Sequence, residues 1–325
     1  MSDSRGCCVR TTRPRSIEVI AEVTTLNTPD RIHNALLGVG LLYLSMWCLS
    51  TLDATGKWLM GIGAPLITVV WMRYVSHLVL MSLLVLPRKG LRVLRSQTIR
   101  FQILRAMAML IASLCLFPAL MYLPQAQATA IAFLAPLIML ALAPWLLGEP
   151  RKRSRWIAGA IGFLGVLIVI RPGAGLDPIG VLFALATAVF FALQHICTRK
   201  VAVDNPFTTL IWSGLVGTVL MTIALLFTIN ESWPVLQQLT MGQWLLMVSL
   251  GLSGGMGHLL QIQAYQNAPA SLLAPFMYLQ ISAATMLGWL IWGDFPDRLT
   301  WVGIGVICAS GAGIGLYEWH QRKTR

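Results

Sequence analysis

The chain has 325 residues, 57% of them hydrophobic and 11% charged, with a net charge of +12 and a mean hydropathy of +0.73. That balance excludes an ordinary soluble domain, where about a quarter of residues are charged, and reads as a polytopic membrane protein. The basic excess falls in alternate connections between apolar runs, which argues against nucleic acid and for the lipid bilayer as the partner.

In chain order, residues 1–31 are polar and rich in Arg and Thr, with no apolar segment of signal-peptide length, so they are expected to be a disordered cytoplasmic leader. Apolar runs between charged or Pro/Gly-rich breaks then give ten spans, at roughly 34–56, 65–86, 101–122, 126–147, 155–170, 178–198, 207–229, 243–266, 269–292 and 299–318. With the N-terminus inside, 20 of the 24 Lys and Arg fall on cytoplasmic connections and termini. Only Lys57, Arg171 and Arg298 fall near the other side, and Arg73 lies within a span. Both termini are therefore expected in the cytoplasm, in a bacterial inner membrane.

Span 1 carries Asp53 and Lys57 four residues apart, and span 2 carries Arg73 and His77 at the same spacing. Ionisable groups at membrane depth are costly and usually face a protein interior or a wet cavity, so these are the first candidates for function. Two readings stay open. Asp53 pairs with Lys57 or Arg73 to hold helices together, with Lys57 otherwise reaching to the outer surface, or it contacts substrate or a coupling proton.

Span 4 holds Pro136 and Pro144, which free backbone carbonyls and bend a helix, and with span 9, where Pro275 sits near the start, it is expected to border a pathway. Span 5 (Gly159, Gly162, Gly165) and span 10 (Gly303, Gly305, Gly311, Gly313, Gly315) read as close-packing helices. Span 6 ends with Gln194 and His195. Span 8 offers His258 and Gln261, three apart, and span 9 offers Tyr278 and Gln280. Cys48, Cys115, Cys197 and Cys308 sit singly in apolar runs as packing residues, and Cys7 and Cys8 lie in the leader. No cysteine spacing suits a metal, and neither a metal nor a cofactor is expected.

The chain is also duplicated. A shift of 145 positions places Ala119, Pro124, Gly148, Arg153 and Trp156 on Ala264, Pro269, Gly293, Arg298 and Trp301, and Glu149 on Asp294. Gly38-Val39 falls on Gly180-Val181, and His195 on Asp53, at a slightly smaller shift. Five spans per half is an odd number, so the second half enters the membrane inverted. The expected fold is an all-α membrane protein of ten transmembrane helices in two inverted five-helix repeats, residues 32–172 and 173–319, with a basic tail at 320–325. Inverted repeats typify secondary transporters working by alternating access.

The run from TAIAFLAPL through LLGEPRKRSRWIAGAIGFLGVLIVIRPG, with APASLLAPFMYLQISAATMLGWLIWGDFPD in the second half, resembles the ten-helix EamA family of the drug/metabolite transporter superfamily. The resemblance covers roughly residues 33–318. It departs mildly in having Asp294 where the first half has Glu149, and both acids read as structural marks. It implies a central cavity lined mainly by spans 1, 3, 4, 6, 8 and 9. It also implies a small organic solute, such as an amino acid, riboflavin or S-adenosylmethionine, moved inward or outward. Few formal charges, with amides and aromatic walls, favour riboflavin or another neutral or zwitterionic aromatic compound, with a proton as the candidate coupling ion. Amino-acid export is the alternative. An intramembrane lipid-modifying enzyme is the alternative of another class, disfavoured because Asp53 is the one acid of twelve clearly within a span.

Overall fold

The computed structural model describes residues 28–146, 153–170, 176–267 and 273–323. Gly148, Glu149, Arg171 and Pro269, named above, lie outside them, as do residues 1–27. The described residues form helices α1 (Thr28–Gly61), α2 (Leu66–Lys89), α3 (Ile99–Tyr122), α4 (Gln125–Ala132), α5 (Ala135–Leu146), α6 (Arg153–Ile170), α7 (Pro178–Lys200), α8 (Pro206–Phe227), α9 (Ile229–Gln238), α10 (Met241–Asn267), α11 (Leu279–Trp292) and α12 (Arg298–Lys323). Short 3-10 turns sit at Leu91–Leu94 and Ala274–Tyr278. Six helices, 22 to 27 residues long over their apolar parts, suffice by length and composition to cross a bilayer.

Two predicted spans are broken. Span 4 is split into α4 and α5 at Phe133-Leu134. Pro136 has no N–H for the carbonyl of Ala132, and the chain answers with a tighter turn in which Leu134 N–H donates to the Ile131 carbonyl at 3.0 Å. Span 9 carries the 3-10 turn that contains Pro275 ahead of α11, its residues 269–272 lying outside the described ones. The two breaks correspond under the 145-residue shift and meet, with the rings of Phe133 and Tyr278 5.3 Å apart. Helix α9 was not foreseen, because its sequence, INESWPVLQQ, interrupts the apolar pattern between α8 and α10.

The packing repeats as the sequence does. Helix α1 lies along α10, and its counterpart α7 lies along α3, the counterpart of α10. Helix α2 meets α10 as α8 meets α3, and the self-paired contacts α2 with α8 and α6 with α12 lie between the halves. At the last of these, a Cβ on Gly303 would sit 2.7 Å from the Gly165 carbonyl, so backbone meets backbone, as small residues permit. Gly159, Gly305 and Gly313 have open space instead.

The connections that meet one another agree with ten crossings. Lys57, near the end of α1, donates to the Leu123 carbonyl in the α3–α4 turn at 3.2 Å and pairs with Asp294 in the α11–α12 turn at 3.7 Å. Asp204, between α7 and α8, gathers the α2–α3 connection, accepting from Gln97 N–H (2.8 Å), Thr98 Oγ1 (2.8 Å), Gln102 Nε2 (2.9 Å) and Ser96 Oγ. Burial pushes the Asp204 carboxyl up, but these four donors outweigh it and hold the group at about 2, below its ordinary 3.8. Its contribution to stability is complete above about pH 4, is lost as pH falls towards 2, and amounts to about 2 kcal/mol at neutral pH. Asp204→Asn is expected to lower the neutral-pH melting temperature and to leave the variant equal to the parent near pH 2. An unchanged melting temperature at pH 7 would contradict it.

Candidate functional site

Between the halves lies a cavity with about 960 Å³ of unfilled space, including its mouth. Helix α1 supplies Met46, Leu49, Leu52 and Asp53, and α2 supplies Arg73. From α3 come Met109, Ser113, Leu116 and Phe117. The broken segment adds Thr129, Phe133 and Pro136 among others, and α7 adds Phe191, Gln194 and His195. The second half closes the cavity with His258 and Gln261 of α10, Met277 and Gln280. These are spans 1, 3, 4, 6, 8 and 9 of the sequence reading, with span 2 added through Arg73.

Seven of the nine candidate residues line this space: Asp53, Arg73, Gln194, His195, His258, Gln261 and Gln280. Asp53 and His195, matched by the duplication, both face it. Tyr278 and Lys57 do not. The Tyr278 ring packs behind the wall against Phe133 and Gly311, and its hydroxyl is buried without a hydrogen-bond partner among the described residues.

Lys57, four residues from Asp53, points away to Asp294 and the Leu123 carbonyl, with its ammonium 4.6 Å from the Trp292 ring. The pairing of Asp53 with Lys57 allowed by their spacing is therefore not formed. A lysine near the end of a span finds an acid and a carbonyl within reach of its long stem, whereas Asp53, a turn deeper, is only 7% exposed and faces the cavity.

Arg73 is 8% exposed, donates to Ser113 Oγ, and lies 5.1 Å from the Tyr74 ring. Among the described residues no base comes within 4.0 Å of the Asp53 carboxylate. Ser50 positions both broken spans on α1, since its carbonyl accepts from Gln125 Nε2 at 2.9 Å and its hydroxyl donates to the Gln280 carbonyl at 3.3 Å. Arg105, counted above with the cytoplasmic bases, is drawn into the bundle and is 7% exposed. It donates to Thr198 Oγ1 at 2.8 Å and Ser213 Oγ at 2.5 Å. Among the described residues no group of three His, Cys, Asp or Glu is placed to hold a metal ion.

Sequence reasoning missed Ser113, Phe117, Phe191 and the methionines Met46, Met109 and Met277. In apolar helices these residue types look alike whether they face lipid, a neighbour or a cavity. The helical spacing of Met109, Ser113 and Phe117 puts them on one face, but nothing in the sequence marks that face as the inner one.

The chain matches the EamA-like transporter family twice, at residues 36–171 and 178–316. It is 27% identical over 282 residues to an S-adenosylmethionine uptake transporter of Rickettsia bellii, covering 86% of this chain and 93% of that protein. It is 28% identical over 268 residues to a riboflavin transporter of Vibrio cholerae, covering 81% and 86%. A pseudopaline exporter of Pseudomonas aeruginosa matches at 24% over 190 residues, 58% of this chain and 65% of that one. A crystal structure 19% identical in sequence superposes with a TM-score of 0.60, covering 88% of this chain and 97% of the other, which shows a shared fold.

Proposed function

The chain belongs to the EamA-like transporter family, and from that premise we propose that it carries a small organic metabolite across the bacterial inner membrane by alternating access. The observation that carries this reading is the cavity at the junction of two inverted halves, to which both contribute walls. Its phenylalanines and methionines beside Gln194, Gln261 and Gln280 suit a molecule with a planar or apolar part and a few polar groups. Riboflavin or another neutral or zwitterionic aromatic compound is the leading solute, and the relatives named for riboflavin and S-adenosylmethionine support that range. A proton is the coupling ion in this reading, with Asp53 as its carrier. Opening of the face bearing Asp294 has to part Lys57 from it, since that pair links α1 of the first half to the α11–α12 turn of the second half.

The test is a metabolite-panel binding screen on purified protein, followed by flux into liposomes of the compounds that bind. Saturable flux is expected, and product formation by the detergent-solubilised protein would replace the carrier with an enzyme. Orientation is tested separately. The distribution of basic residues supports cytoplasmic termini, so a C-terminal alkaline phosphatase fusion is expected to be inactive, and high activity in the periplasm would overturn the orientation.

A further inference from the structure

We propose that Arg73 reads the solute by taking an anionic group, a carboxylate or a phosphate, that the solute carries. The inference rests on the transporter reading above and narrows its substrate class to solutes with such a group, zwitterionic aromatic compounds among them. Riboflavin itself, which has no acidic group, then ceases to be the leading solute. Lys57 has Asp294 as its counter-ion. Arg105 does not line the central cavity and is engaged by the hydroxyls of Thr198 and Ser213. Arg73 does line it, and among the described residues no carboxylate lies within 4.0 Å of its guanidinium.

A guanidinium has five N–H donors, and the bond from Arg73 to Ser113 Oγ uses one. Asp53 lines the same cavity and acts on Arg73 only through space, and for a base at membrane depth with no carboxylate in contact an arriving anion lowers the cost of burial. The fork geometry of arginine suits carboxylate and phosphate oxygens.

The surroundings fit an anion. Arg73, Met109 and His258 border both the central cavity and a smaller chamber of about 230 Å³, which His77 and Ser213 also line. His258 Nε2 is buried with no hydrogen-bond partner among the described residues, and His258 lines the same two spaces as Arg73. The rings of His77 and His258 lie 6.4 Å apart across that chamber, and His77 Nε2 is already occupied by the Leu210 carbonyl at 3.2 Å. Arg73, Ser113 and His258 thus converge from three helices and both halves. A solute oxygen held there couples its own binding to the relative position of the repeats. Phe117, Phe133 and Phe191 remain for the apolar part of the molecule.

The experiment is thermal stabilisation of the purified full chain by matched pairs that differ in one anionic group: tryptophan and tryptophanamide, riboflavin and riboflavin monophosphate, adenosine and adenosine monophosphate. For at least one pair the anionic member is expected to bind on the order of tenfold or more tightly than its neutral partner, as a charge-assisted bond implies. Arg73→Gln is expected to erase that preference. Arg73→Lys, which keeps the charge and guards against a folding defect in the first variant, is expected to reduce it. Equal binding within every pair, a preference that survives Arg73→Gln or is unaltered in Arg73→Lys, or no stabilisation by any member overturns the inference. The liposome flux assay with the wider metabolite panel still tests transport independently.

Discussion

Replacing Asp53 by Asn is expected to abolish gradient-driven accumulation of the solute while leaving its exchange between compartments in place. The substitution keeps shape and removes the titrating group. A proton gradient of one pH unit is worth about 1.4 kcal/mol per proton, about tenfold accumulation at one proton per solute. That factor is what the variant loses. Its abundance is expected to be normal, because no described base lies within ion-pair distance of the carboxylate to be stranded by the change. Loss of exchange together with accumulation would return Asp53 to a structural role, and unchanged accumulation at normal membrane abundance would reject both readings.

Gly251→Val is expected to remove folded protein altogether. A Cβ at this position of α10 would lie 2.6 Å from the Arg73 carbonyl and meet Ser76 Oγ and the His77 amide as well, so α10 rests directly on the backbone of α2. Overpacking typically costs about 1–3 kcal/mol. Here the obstacle is backbone, which cannot turn aside as a flexible side chain does, and the displaced turn carries both Arg73 and His77. Gly251→Ala is expected to fold with a lowered melting temperature. Gly159→Ala, whose new methyl meets nothing within 4 Å, is the control and is expected to match the parent. A monodisperse Val variant with the parental melting temperature would show that the helices separate freely.

Of these two positions, Asp53 was legible in the sequence and Gly251 was not. Asp53 and Arg73 stand out because a charge in an apolar run is costly and calls for either a structural partner or a functional role, and both line the cavity. The duplication was readable from ordered pairs such as Trp156 and Trp301, and the mirrored packing of α1 on α10 and α7 on α3 follows it.

What could not be read depends on distant partners. Asp53 and Lys57 share a helix and a spacing that permits pairing, but the partner of Lys57 is Asp294, brought near only by the fold. Asp204 shows no distinction in VDNP until the α2–α3 connection closes over it. Gly251 looks like any glycine of LGLSGGMG, and its indispensability comes from the α2 backbone it meets. Pro136 did announce a bend, yet the break fell at Phe133-Leu134, near the carbonyl that proline leaves unpartnered.

Alternating access requires that a single cavity between inverted halves be loaded on one side of the membrane and emptied on the other. Counterflow in liposomes tests it most directly. Vesicles containing the purified chain are preloaded with a high concentration of unlabelled solute, and entry of a trace of labelled solute is followed with no ion gradient. The account predicts a transient overshoot of label above its outside concentration, saturable in the solute and absent from empty vesicles, because a carrier that unloads inside returns with the label excluded by competition. Label that only equilibrates, without overshoot and in proportion to concentration, would indicate an open pore and contradict it.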